Sequence, residues 1–181
     1  MVPPSAQQPL PLSQPLVGVS RCLLGEAVRY DGGSRHVPWI TEVLSHHCRL
    51  LPLCPEVEAG FGVPRPPIRL VGDQERIEVQ LVEDPSAYRT DQLSAAIGRL
   101  LPVVEQLDGL ILKARSPSCG VHDTPLFDTA GESTPGAGLF TRACLSCKPQ
   151  LVIVDEQALV SEAGRVGFLL QLFRRHHFPT L

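Results

Sequence analysis

The amino-acid sequence predicts an α/β protein with three layers, α/β/α, around a mostly parallel central sheet. Short apolar runs at residues 16–20, 50–53, 109–114 and 151–154 are each bounded by turn residues, as strands are. Segments with helical periodicity separate these runs, and strands alternating with helices imply a parallel sheet covered on both faces. A length of 181 residues with 43% hydrophobic content suits one domain with a substantial core.

The elements follow in chain order. The first fifteen residues, rich in Pro, Gln and Ser, predict a disordered tail and leave residues 16–181 as a single folded domain. Residues 16–20 form the first strand. Arg29-Tyr30-Asp31-Gly32-Gly33-Ser34 is a turn, punctuated by Asp-Gly and Gly-Gly. Residues 37–47 predict a helix, with Pro38 near the first turn where proline is tolerated. After the second strand at 50–53, the glycines and prolines of 60–67 make a stiff loop. Residues 68–71 and 76–82 predict a hairpin around Gly72-Asp73.

Asp84-Pro85-Ser86 opens a helix extending to Leu107. Leu93, Ile97, Leu100, Leu101 and Val104 form its apolar stripe, and Pro102 is expected to kink it or end its first part. The third strand is the apolar run 109–114. Thr134 and Pro135 then predict the N-cap and first position of another helix. A fourth strand at 151–154 leads into a helix over 155–176, with a break expected near Gly164 and Gly167.

A net charge of −3 gives no attraction to nucleic acid or anionic membrane, so an intact nucleic-acid partner is not expected. No apolar run approaches the ~18 residues of a membrane span. The first fifteen residues lack the basic and apolar regions of a secretory signal. The six cysteines are therefore expected to be reduced thiols in the cytoplasm.

Three of those cysteines carry the strongest chemical signal. Cys22, Cys54 and Cys119 each follow an apolar, strand-like run. In an open α/β sheet the carboxyl ends of the strands form the ligand crevice, so thiols from distant parts of the chain can meet there. Three soft ligands suit iron–sulfur or zinc, and three rather than four leave a metal position open for chemistry. Cys48 reads instead as a small buried hydrophobe.

Other candidates surround this trio. Glu56, in Cys54-Pro55-Glu56, could shuttle a proton or activate water, or simply place charge at a helix start; Glu58 faces the same choice. Ser116 and Ser118, in Ser116-Pro117-Ser118-Cys119-Gly120, could donate hydrogen bonds to a cluster sulfur or a substrate, or could serve an ordinary turn. No G-x-S-x-G elbow marks either serine as a hydrolase nucleophile. Arg29, Tyr30 and Asp31 offer donor, ring and acceptor to a flat heterocycle. Lys113, at a strand end, could contact substrate. Gly136-Ala137-Gly138 reads as close packing.

A rival site is a Cys₃His zinc centre from Cys119, His122, Cys144 and Cys147, or a redox pair from Cys144 and Cys147 alone. Against it, Cys144 and Cys147 fall within an expected helix, with no turn residue between them.

Several spaced strings carry a resemblance. They are V-G-V-S-R-C-L-L-G (17–25), R-Y-D-G (29–32), L-C-P-E-V-E-A-G-F-G-V-P-R-P-P (53–67), L-K-A-R-S-P-S-C-G (112–120) and G-A-G-L-F-T (136–141). In that order they resemble the thiouracil desulfidase family, in its short single-domain form, over residues 16–173. The resemblance implies a [4Fe-4S] cluster held by Cys22, Cys54 and Cys119, with the fourth iron free for the substrate's sulfur. It implies catalytic roles for Glu56 and for a serine of S-P-S-C, Ser116 first and Ser118 second. The implied reaction converts C=S to C=O on a thiolated pyrimidine such as 2-thiouracil and releases hydrogen sulfide, without net electron transfer.

Overall fold

A computed structural model describes residues 13–73 and 75–177. Most of the expected N-terminal tail, residues 1–12, lies outside the described residues.

The central sheet is four-stranded and wholly parallel. Its strands are β1 (Leu16–Ser20), β2 (Arg49–Leu53), β5 (Gly109–Leu112) and β8 (Val152–Asp155), in the order β2-β1-β5-β8. Alternate residues face opposite sides, as the pleat requires. Leu110 and Leu112 enter one apolar cluster, whereas Ile111 joins Val17 and Val19 in the other. Helix α4 (Glu162–His177) and the turns at Trp39–Val43 and Leu44–His46 cover the second face. Helices α2 (Thr90–Val104) and α3 (Leu139–Cys147) cover the first. The expected three-layer α/β/α arrangement is therefore observed.

Close packing on β1 needs a glycine. A Cβ at Gly18 would lie 2.5 Å from Leu110 Cδ2, 2.7 Å from Leu107 Cδ1 and 2.8 Å from Leu53 Cδ1. Gly18 thus lets three leucines from separate segments close over the middle strand.

A second sheet, in the order β4-β3-β6-β7, was only half legible in the sequence. Its β3 (Ile68–Gly72) and β4 (Ile77–Leu81) are the expected hairpin. Its β6 (Thr124–Phe127) pairs parallel with β3, and β7 (Ser133–Gly136) pairs antiparallel with β6. Thr134 and Pro135 consequently belong to a strand, not to a helix start. Proline is tolerated there because β7 is an edge strand. Helix α3 begins at Leu139, with Gly138 at the N-cap.

Three helical segments and the effect of one proline also differ from expectation. The 37–47 segment is one π-helical turn followed by one 3₁₀ turn, with Pro38 in helical conformation immediately before. Residues 84–88 precede the helix as a turn, in which the Asp84 carboxylate accepts hydrogen bonds from Ser86 N (3.0 Å) and Ser86 Oγ (2.6 Å). Pro102 stays inside α2, on the exposed side of its last turns, and does not end the helix. Helix α4 starts at Glu162, since Asp155 Oδ1 binds Gln157 N and Ala158 N (both 3.0 Å) and turns the chain first. Gly164 and Gly167 lie within that helix without ending it.

A branched side chain at position 18 would overfill the junction of β1 with its neighbours. Gly18→Val is expected to lower unfolding free energy by about 1–3 kcal/mol, measured by urea denaturation. An unchanged midpoint would show that the leucines relax freely.

Candidate active site

Parallel pairing places the C-terminal ends of β1, β2 and β5 side by side, with Ser20 opposite Leu53 and Val19 opposite Ile111. Cys22 lies in the 3₁₀ turn directly after β1 (Arg21–Leu24), and Cys54 N-caps the short helix α1 (Pro55–Glu58) directly after β2. Cys119 lies in the loop after β5. All three line one cavity of about 470 Å³, so the strand-end expectation places them together. Cys22 and Cys119 are buried, and Cys54 is partly so. The second sheet forms the far wall of the cavity through Ile68, Arg69, Thr124 and Phe127.

Glu56 lines the same cavity at 9% exposure, with both carboxylate oxygens engaged. Ser118 Oγ donates to Oε1 (2.8 Å), and Arg65 Nε donates to Oε2 (2.8 Å). Arg65 Nη1 also donates to Val28 O (2.9 Å) and Gly62 O (3.0 Å). Glu56 is thus more than a charge at a helix start. The sequence reading passed over Arg65; the one available signal was a lone guanidinium in the loop between Pro64 and Pro66.

The two serines divide. Ser118 is fully buried, absent from the cavity wall, and bound to Glu56. Ser116 lines the cavity, and its Oγ accepts from Cys119 N (3.1 Å) and Ser118 N (3.3 Å). With both backbone donors filling its lone pairs, its own O–H remains to be given elsewhere. Helix α3 presses on this loop: Leu139 N donates to Pro117 O (3.1 Å), Phe140 N to Ser118 O (2.9 Å), and Thr141 Oγ1 to Cys119 O (2.9 Å). A Cβ at Gly138 would lie 2.5 Å from the Ser118 carbonyl, so the expected close-packing role of the glycines holds there.

The cavity wall is cationic despite the chain's net negative charge. Arg21, Arg29, Arg35, Arg65, Arg69, Lys113 and Arg115 line it, against the single carboxylate of Glu56 among the described residues. Arg21, Arg29, Arg65 and Lys113 pair with Glu26, Asp31, Glu56 and Glu156 respectively. Among the described residues Arg35, Arg69 and Arg115 form no ion pair, although Arg69 Nε donates to Gln80 Oε1 (2.9 Å). Arg29 and Tyr30 both face the cavity, with the guanidinium 5.3 Å from the ring centroid. Asp31 stands outside the wall. It accepts from Arg29 Nε (3.2 Å) and Gly33 N (3.0 Å), which holds Arg29 in place and its own carboxyl below the usual range.

The rival zinc set does not assemble. Cys119 faces the cavity, while His122 is 75% exposed with Nδ1 3.8 Å from Asp155 Oδ2. Cys144 is buried in the apolar core, and Cys147 Sγ lies 3.6 Å from Glu105 Oε1. Among the described residues no three His, Cys, Asp or Glu side chains converge tightly enough to hold one metal ion. Cys22, Cys54 and Cys119 instead come from three separate segments that follow β1, β2 and β5, and all three line the one cavity.

A family profile described as 2-thiouracil desulfurase matches residues 17–156. The chain belongs to this family. It is also 27% identical over 148 residues to YbbK of Bacillus subtilis, a protein described as uncharacterized, covering 78% of this chain and 97% of that one. The solved structure of the [4Fe-4S]-dependent thiouracil desulfidase TudS superposes with a TM-score of 0.65 at 27% identity, covering 86% of this chain and 99% of the other.

In this 2-thiouracil desulfurase family member all three cavity thiols are poor acids without a metal. Burial pushes Cys22 up to about 11, with Cys54 adding repulsion. Burial also raises Cys54, and raises Cys119 well above the ordinary range, where repulsion from Cys54 and Glu56 outweighs a hydrogen bond from Ser20. A positively charged soft group would relieve that repulsion, so the donor set fits a thiolate-bound cluster.

Cys144 offers a test away from the cavity. Burial, then Cys147, pushes it from its ordinary 9.0 up to about 12. The unfolded thiol loses its proton near the ordinary value while the folded thiol keeps it. Its stabilising share is therefore complete below 9.0 and lost as pH rises towards about 12. In reductant, the urea midpoint of the protein should fall through this window, and Cys144→Ala should fall less steeply. Equal slopes would show that Cys144 does not titrate with folding.

Proposed function

We propose that this protein is a [4Fe-4S]-dependent thiouracil desulfidase. It replaces the sulfur of a thiolated pyrimidine such as 2-thiouracil with oxygen, giving uracil and hydrogen sulfide. The observation that carries the reading is the meeting of three buried thiols and a clamped carboxylate around one cavity. Family membership and the likeness to TudS support it.

Cys22, Cys54 and Cys119 would hold the cluster. When bound, it would supply an iron with no protein ligand, a Lewis acid for the soft substrate sulfur. The protein's own groups provide the rest. Glu56 takes a proton from water as the oxygen attacks the C–S carbon. Ser116 gives its hydroxyl hydrogen bond to the adjacent ring nitrogen. Glu56 then returns that proton to the departing sulfur, and the water's second proton, released as C–OH becomes C=O, passes by the same carboxylate to sulfur to complete hydrogen sulfide. The balance is C=S plus water to C=O plus hydrogen sulfide, with no electron transferred. Ser118 holds Glu56 and does not face the substrate. Arg29 and Tyr30 bound the ring, and Arg35, Arg69 and Arg115 suit an anionic substituent such as a nucleotide phosphate. The described helices include none long and apolar enough to cross a membrane.

The protein should be purified without oxygen and its iron, sulfide and visible absorbance measured. Cys22→Ala, Cys54→Ala or Cys119→Ala should each abolish the broad absorbance and turnover of 2-thiouracil. Glu56→Gln should keep the absorbance yet lower kcat by about 10²–10⁴-fold, the usual contribution of a general base. A colourless wild-type protein, or a cysteine variant with full iron content, would reject the cluster assignment.

A further inference from the structure

We infer that Arg65 is the positioning residue of the site: it orients Glu56 and ties helix α1 and its own loop to the loop after Cys22. The inference rests on the proposed role of Glu56. The Arg65 side chain is 5% exposed and that of Glu56 11%, so their ion pair is shielded from solvent. Each guanidinium bond ties down a different piece of chain. Nε reaches Glu56, two residues beyond Cys54. Nη1 reaches Val28 O, in the loop after Cys22, and also Gly62 O, in Arg65's own loop. The Arg65 backbone N donates to Tyr30 O (2.9 Å), which stitches the same two loops a second time.

The geometry leaves Glu56 little freedom. Oε2 faces a fixed cation and Oε1 a buried hydroxyl, so rotation about the last torsion breaks both bonds at once. A carboxylate that must meet a water and a bound heterocycle gains from this fixed orientation. The planar fork matters as well as the charge, because one guanidinium serves a carboxylate and two carbonyls together. Neighbouring prolines Pro64 and Pro66 stiffen the backbone that carries the fork. Arg65 thereby holds the loops of two cysteines and the catalytic carboxylate in one arrangement.

The test compares Arg65→Gln, Arg65→Lys, Glu56→Gln and the Arg65→Gln/Glu56→Gln double variant. Each is the anaerobically purified full chain, assayed with 2-thiouracil. Arg65→Gln should keep the iron content and visible absorbance of the wild type. Its kcat should fall by about 10²-fold with KM changed by no more than about twofold, the pattern of a misplaced catalytic group. Arg65→Lys should recover part of kcat. In the double variant, removal of Arg65 should cost almost nothing beyond Glu56→Gln. If Arg65→Gln does not fold, Arg65→Lys alone and combined with Glu56→Gln is read by the same measures. Losses that multiply, a rise confined to KM, or loss of the cluster would overturn the positioning role. Full activity of Arg65→Gln beside an inactive Glu56→Gln would overturn this inference alone. Full activity of Glu56→Gln would overturn the proposed function of Glu56 and this inference with it.

Discussion

Parallel pairing of β1 between β2 and β5 is the constraint on which the site depends. It sets the register in which Ser20, Leu53 and Leu112 end their strands at one edge. Three loops far apart in sequence then begin side by side, and each carries one of the cavity thiols. Gly18 permits this pairing by letting Leu53, Leu107 and Leu110 meet over β1. The packing of an apolar interior and the placement of the chemistry are thus one problem, solved at the middle strand.

The second sheet completes what the first begins. Hydrogen bonding of β6 to β3 brings Thr124 and Phe127 opposite the strand ends and closes the far wall. The loop holding Ser116, Ser118 and Cys119 is caught between β5, β6 and the start of α3. Backbone bonds from Leu139 and Phe140 fix its carbonyls, Ser116 Oγ fixes its amides, and the bare Cα of Gly138 admits the close contact. Rigid support on three sides distinguishes the serine that faces the cavity from the one that orients Glu56.

Charge within the cavity follows a logic separate from that of the whole chain. The net charge of −3 reflects carboxylates distributed elsewhere, whereas the cavity wall carries Arg and Lys side chains. Glu26, Asp31 and Glu156 stand outside the wall and hold Arg21, Arg29 and Lys113 by ion pairs. Burial meanwhile raises the cavity thiols, so the site stores a need for positive charge at its sulfurs. A cavity that is cationic at its rim and rich in thiols suits a thiophilic group and an anionic substrate together.

Local sequence determined the parallel strands, the hairpin and the stripe of α2, and it singled out as candidates Cys22, Cys54, Cys119, Glu56 and the Ser116–Ser118 loop, which folding brings around one cavity. Apolar runs, turn residues and spaced motifs are properties of neighbouring residues, so they can be read before folding. Tertiary structure decided the rest. Thr134 and Pro135 look like a helix start locally, yet pairing with Leu126 and Pro125 makes them an edge strand. Arg65 looks like an ordinary surface residue in a proline-rich loop, yet folding buries it against Glu56 and two backbone carbonyls. Ser116 and Ser118 are equivalent by type and differ only in which one reaches the cavity. Such assignments rest on contacts between residues far apart in the chain, and those contacts exist only once the two sheets have packed.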